Sequence, residues 1–188
     1  MIQNKLKKSL KNYLNNEEIF DIVLFGSFAK GSLEPNDLDL LVIFKKGSLK
    51  ERLNKLQIIK QEIKTIFKKI DLKQLLLEDL FSESFFARTG ILLEGISLKN
   101  DKPFSESLGF KGICLYSYNL ENLTHNEKVK FNYILSGRNN NKGIIDLFEI
   151  KRIANGALLV PINKSLEFEI ILNNNKINYS KKNMLIEE

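Results

Sequence analysis

Apolar positions along the chain follow two periods. Ile2, Leu6, Leu10 and Leu14 recur every four residues, with Lys5, Lys7, Lys8 and Lys11 between them. That spacing predicts an amphipathic helix over 2–14. Ile19 to Phe25 (IFDIVLF) and Leu38 to Phe44 (LDLLVIF) are short apolar runs that predict two strands. Gly26-Ser27 breaks the first run, Phe28 to Gly31 reads as one helical turn, and Leu33 to Asn36, with Pro35, reads as a loop. Gly47-Ser48 opens a long helix over about residues 48–67, with Leu53, Leu56, Ile59, Ile63 and Ile66 on one face. Ile70 to Leu76 (IDLKQLL) predicts a third strand with Asp71 near its start. Residues 77–88 read as helical, and Ile96 to Leu98 as a short closing strand.

The polar stretch Lys99-Asn100-Asp101-Lys102-Pro103, with Gly109 soon after, predicts a boundary between a domain over 1–100 and another over 104–188. The pattern then restarts. Gly112 to Tyr118 predicts a strand. Thr124 and Glu127 have the spacing of a capping box, and the helix they open runs to Ser136 before Gly137. Arg138 to Gly143 is a polar, basic loop. Lys151 to Pro161 predicts a hairpin turning at Asn155-Gly156. Residues 163–173 read as a helix, and Lys176 to Tyr179 and Met184 to Ile186 as two short strands. This order describes a small α/β module, ferredoxin-like in outline.

Composition narrows the function classes. Of 188 residues, 43% are hydrophobic and 28% charged, a globular balance that excludes a mainly disordered chain. No apolar run approaches the about 20 residues of a membrane helix, and no secretory signal is evident, so the expected location is the cytoplasm, with no membrane contact. The single cysteine, Cys114, excludes internal disulfides and multi-cysteine zinc sites. The single histidine, His125, argues against His-rich metal sites and His-based triads, and reads as a surface residue. Cys114, Phe85 and Phe86 read as packing residues. The net charge of +6, spread over both halves, permits binding to nucleotides or nucleic acid and equally describes a lysine-rich surface. The lysines of the first helix read as a solvated face.

The chemistry concentrates in Leu24-Phe25-Gly26-Ser27-Phe28-Ala29-Lys30-Gly31 and Asn36-Asp37-Leu38-Asp39-Leu40. A strand ending at Gly26-Ser27 before a helical turn exposes backbone N–H groups and a hydroxyl, which suit a phosphate. Asp37 and Asp39, two apart, face the same side of a strand, while Leu38 and Leu40 face the core. Two close carboxylates repel unless a cation lies between them. Mg2+ takes one or two carboxylates together with substrate phosphates. A phosphate cradle beside a carboxylate pair is the outline of metal-assisted phosphoryl or nucleotidyl transfer. Asp71 joins the pair if the second and third strands are neighbours; Glu78 and Asp79 compete for that place.

This arrangement resembles the nucleotidyltransferase superfamily named after DNA polymerase β, and its minimal members in particular. Gly26-Ser27, nine intervening residues and Asp37-Leu38-Asp39-Leu40 match its signature, and Ala29-Lys30-Gly31 matches the Ala-Arg-Gly of small members with Lys for Arg. That exchange keeps the charge and loses a bidentate fork. The resemblance covers about residues 1–100. It implies an α+β fold, a small mixed β-sheet flanked by helices. It implies that Gly26, Ser27 and Lys30 bind the phosphates of a nucleoside triphosphate, with ATP expected. It implies that Asp37 and Asp39 hold two Mg2+ ions, with Mn2+ as a substitute, and that Asp71 is third ligand and base. The reaction implied is attack of an acceptor hydroxyl on the α-phosphate, releasing pyrophosphate. RNA is the favoured acceptor, with a protein or a small molecule as alternatives.

Residues 104–188 resemble no family and carry no catalytic cluster. Lys128, Lys130, Arg138, Lys142, Lys151 and Arg152, with Tyr116, Tyr118 and Tyr133 near them in sequence, combine the charge and aromatic groups that single-stranded nucleic acid requires. Scattered surface charge over core aromatics accounts for them as well. The module is expected to recognise the acceptor or to mediate dimerisation. Two rival readings remain for the whole chain. One is a nucleotide- or RNA-binding module without catalysis; the other is one component of a toxin–antitoxin-like pair.

Overall fold

The computed structural model of the protein describes residues 2–29 and 37–187. It divides into two compact units, Met1–Gly109 and Phe110–Glu188.

In the first unit, α1 (Ile2–Ser9) and α2 (Lys11–Leu14) replace the single expected helix. The turn tightens at Leu10, where Tyr13 N–H donates to the Leu10 carbonyl at 2.9 Å. The stripe survives this irregularity, because Leu6, Leu10 and Leu14 are all buried. Burying a leucine is worth roughly 1.5–3 kcal/mol, so the stripe outweighs one imperfect turn. The strands β1 (Ile19–Phe25), β2 (Leu38–Phe44) and β3 (Ile70–Leu76) lie where the apolar runs predict. A one-turn helix α3 (Gly26–Ala29) follows β1, beginning at Gly26 rather than at Phe28. The expected loop at 33–36 lies outside the described residues, as do Lys30 and Gly31.

Helix α4 (Leu49–Lys64) is opened by a Ser48–Glu51 capping box. Its buried stripe differs by one residue from the expected one. Arg52 and Ile59 are buried with Ile63, whereas Leu53 is exposed. The stretch expected as a helix over 77–88 is instead a short 3-10 turn, Glu78–Phe81, and a loop; the helix α5 comes later, at Arg88–Glu94. Ser82 takes an extended conformation that ends the turn. Phe85 packs into a core cluster, but Phe86 is 94% exposed and is not a packing residue.

Two short strands, β4 (Ile96–Ser97) and β5 (Lys102–Pro103), complete a sheet of order β3-β2-β1-β4-β5 among the described residues. β2 and β3 are parallel and the other neighbours antiparallel, so the sheet is mixed. Strand alternation splits the core. Ile22, Leu24, Leu38, Leu40 and Val42 pack with the leucines of α1 and α2 and with Ile59 and Ile63 of α4. Val23, Leu41 and Ile43 pack on the other face with Leu80, Ile91 and Phe104. This helix-flanked mixed sheet is the α+β fold expected of the polymerase β-like class.

The second unit follows β-α-β-β-α-β order. Its main elements are β6 (Phe110–Asn119), α6 (His125–Ser136), β9 (Lys151–Ala154), β10 (Ala157–Pro161), α8 (Ser165–Asn174) and β11 (Asn178–Glu187). Between α6 and β9 lie the ribbon β7 (Gly137–Arg138) and β8 (Asn141–Lys142), then α7 (Ile144–Leu147). The sheet order is β11-β6-β10-β9, all antiparallel, which is the split β-α-β arrangement of ferredoxin-like modules. The two expected final strands are one continuous strand, β11, paired along the whole of β6. The expected basic loop contains the β7–β8 ribbon. Asn139 and Asn140 both have positive φ, the conformation of a two-residue hairpin turn that Asn tolerates. Thr124 and Glu127 form the expected capping box, and His125 is exposed on the first turn of α6. Cys114 is buried in the core.

Candidate active site

Strand register lines up one row of residues across three strands of the first unit. Phe25 in β1 is the partner of Asp39 in β2, and Asp39 is the partner of Asp71 in β3. Partners across a sheet project to the same face. Leu38 and Leu40, on the opposite face, are fully buried. Asp39 therefore stands on the face shared with Leu41 and Ile43, at the start of its strand, and is only partly buried. Asp37 precedes β2 in a bend and is also partly buried.

The turn after β1 closes over this row. Gly26 has a φ of +73°, a conformation that glycine adopts without strain. A Cβ at this position would overlap Asp39 Oδ2 and stand 2.8 Å from Asp39 Cγ. Backbone at Gly26 thus reaches the carboxylate because no side chain intervenes. Ser27 is exposed beside it, and Phe28 anchors the helical turn edge-to-face against Phe67, ring centroids 6.0 Å apart. Lys30 lies outside the described residues.

Three carboxylates sense one another here. Burial pushes the Asp39 carboxyl above its ordinary range, and the charges of Asp37 and Asp71 push it in the same direction, with Lys73 opposing. Lys73 was not singled out by the sequence reading. It lies two residues after Asp71, so the alternation that pairs Asp37 with Asp39 also places Lys73 on the face of Asp71. Its ammonium is 3.0 Å from Asp71 Oδ2 and 5.8 Å from the centre of the Phe25 ring. It spans the row from β3 to β1. Among the described residues, no three acidic, histidine or cysteine side chains are closed around a common point as a formed metal centre. Asp71 is turned onto Lys73 instead. Glu78 and Asp79 are exposed on the 3-10 turn past the far end of β3, away from the row.

A second buried acid lies outside this row. Asp21, in β1, is 1% exposed. The Ser97 hydroxyl donates to its Oδ2 at 2.6 Å, and the Ile22 N–H to its Oδ1 at 2.7 Å. Ser97 in turn accepts from Asn100 N–H at 3.0 Å. These bonds fasten the turn after β4, a structural task.

Comparison with known proteins yields a family match within the first unit. Residues 4–94 match the family model described as Polymerase beta, Nucleotidyltransferase. No curated protein matches the chain. Among solved structures, a toxin–antitoxin with AMP-PNP is similar at 23% identity, covering 52% of this chain and 73% of that chain, with a TM-score of 0.38. A mutant of the toxin–antitoxin MntA–HpeT is similar at 21% identity, covering 51% and 70%, with a TM-score of 0.35.

Proposed function

Residues 4–94 are a nucleotidyltransferase domain of the polymerase β family, and from that premise we propose that the chain transfers a nucleoside monophosphate from a nucleoside triphosphate, ATP first, to a hydroxyl of RNA. The observation that carries the proposal is the row Phe25–Asp39–Asp71 beneath the Gly26 turn, with Asp37 close enough to raise Asp39. The net charge of +6 supports a polyanionic acceptor.

The donor set fits a hard divalent cation. All three groups are carboxylates, two of them load Asp39 with negative charge, and nothing softer stands in the row. Asp37 and Asp39, with Asp71 as a third ligand, would hold Mg2+ or Mn2+, which when bound would neutralise charge on the triphosphate and polarise its phosphorus–oxygen bonds. The protein groups then have separate tasks. Gly26 and Ser27 would present N–H groups and a hydroxyl to the β- and γ-phosphates. Lys30 would add a positive charge to the same phosphates. Asp71 would accept the proton of the attacking hydroxyl. The acceptor oxygen bonds to the α-phosphorus, the α–β bridging bond breaks, and pyrophosphate leaves.

The test is transfer of α-labelled nucleotide. The full chain is incubated with each of the four triphosphates, Mg2+ or Mn2+, and total RNA. Labelled RNA is expected with the wild type and not with Asp39→Ala. Nucleotide binding without label in RNA, with any triphosphate, overturns the proposal and leaves a binding module.

A further inference from the structure

The second unit holds a cleft of its own. About 350 Å³ in volume, it lies between the end of β6, one side of α6 and the β9–β10 hairpin. Polar side chains line it from four segments: Tyr118, Asn119, Asn132, Arg152 and Asn155. None of its lining residues is acidic. Among the described residues, these five side chains make no side-chain hydrogen bonds and no ion pairs, although Tyr118 packs edge-to-face on Phe131 and lies in the field of Arg152. Some polar side chains elsewhere in the unit are committed to one another. Glu169 accepts from both Tyr116 and Lys181, for example. Five polar side chains, four of them exposed to solvent, thus converge on one concavity.

The chemistry of that inventory is specific. Arg152 offers a planar fork of donors suited to a phosphate. Three carboxamides each offer a donor and an acceptor, the combination that pairs with the edge of a base. The volume lies in the range of small-ligand sites, enough for one nucleotide. Helix α6 also presents exposed Tyr133, with the Arg138 guanidinium 4.7 Å from its ring centre, a pair able to stack a neighbouring base. The turn of the hairpin approaches the end of β6 closely, with Tyr118 N–H donating to the Gly156 carbonyl at 2.8 Å. Gly156, at φ +78°, carries no side chain where a Cβ would overlap the Tyr118 carbonyl.

We propose that this cleft binds one nucleotide of single-stranded RNA, so that the ferredoxin-like unit holds the acceptor strand. The proposal deepens the transferase reading by assigning acceptor recognition to the second unit. Its test is binding, and no turnover is needed. Anisotropy of a labelled ten-nucleotide RNA is measured against the full chain, Arg152→Ala and Asn132→Ala, with circular dichroism confirming each fold. Each substitution is expected to raise Kd about tenfold. Arg152→Ala should also lower the salt slope by about 0.7, the loss of one single-strand phosphate contact. Asp39→Ala should bind as the wild type does, separating this site from the transfer site. Competition by free AMP at concentrations equal to the RNA would assign the cleft to a mononucleotide and overturn the RNA proposal. Unchanged Kd in both cleft variants, or labelling of a protein acceptor with no RNA binding, would overturn it too.

Discussion

Gly26 and Asp39 occupy one space: the carboxylate of Asp39 fills the place a side chain at Gly26 would take. Two costs therefore meet in Gly26→Ala. Positive φ costs a residue with a Cβ roughly 1–2 kcal/mol, and the methyl group must displace Asp39. The expected result is a modest fall in melting temperature with loss of nucleotide transfer of a hundredfold or more. Ser27→Ala, which removes a hydroxyl without touching Asp39, should lose less. A Gly26→Ala enzyme with wild-type turnover would show that the turn and the carboxylate do not act together.

Lys73 stabilises the charged form of Asp39 against the burial and like charges that oppose it. Removing its charge in Lys73→Gln should raise the Asp39 pKa further. Because Asp39 must be ionised to hold a cation, the acidic limb of the pH–rate profile should move to higher pH, while the rate on the plateau changes less. A profile measured from pH 5 to 9 checks this. An unmoved acidic limb would mean that Asp39 ionisation does not limit the reaction.

The site was legible because its signal is local. Gly26-Ser27 and Asp37-x-Asp39 lie within one strand–turn–strand unit, and apolar runs placed β1, β2 and β3 to the residue. Asp71 was visible only as a conditional, since a sequence does not say which strands are neighbours; the parallel β2–β3 pairing supplies that. Lys73 was missed although the alternation that found Asp39 applies to it, because a lysine in a basic chain carries little signal by itself. Residues 77–88 were misread. The stretch was expected to be helical and Phe86 to pack, yet Ser82 turns extended and Phe86 projects into solvent. The cleft of the second unit was illegible for another reason. Its polar residues come from four separate segments and share no spacing. Tyr116, grouped with them by sequence, is buried core.

Asp21 makes stability depend on acid pH. Its carboxyl lies above the ordinary range because burial outweighs the bonds from Ser97 and the backbone N–H groups of Ile22 and Lys99. A raised carboxyl binds its proton more tightly when folded than when unfolded. Its contribution is therefore full below the unfolded pKa of about 3.9 and is lost as pH rises through the folded value. Asp21→Asn can keep the bond to Ser97 through its amide and should abolish this slope, leaving the variant more stable than wild type at pH 7. Asp39, also raised, leaves a residual slope. Melts between pH 3.5 and 7 check it, and parallel curves for the two proteins would show that Asp21 does not titrate in this window.

Tyr116 makes the matching case at alkaline pH. Its ring is fully buried, and its hydroxyl donates to Glu169 Oε1 at 2.7 Å, an oxygen that Lys181 also reaches at 2.8 Å. Burial, then the hydrogen bond and charge of Glu169, push the phenol far above its ordinary value. The native state thus keeps the proton that the unfolded chain releases above pH 10. Wild-type stability should fall there by about 1.4 kcal/mol per pH unit from this residue alone. Tyr116→Phe loses one hydrogen bond and should be about 1 kcal/mol less stable at pH 7. It has no proton to lose, so its alkaline slope is shallower, and the two stability curves should meet about one pH unit above 10. Tyr118, also raised by burial, contributes the same slope to both proteins. Urea unfolding at pH 7, 10 and 11 measures the three points. A constant gap between the curves would mean that the Tyr116 phenol ionises equally in both states.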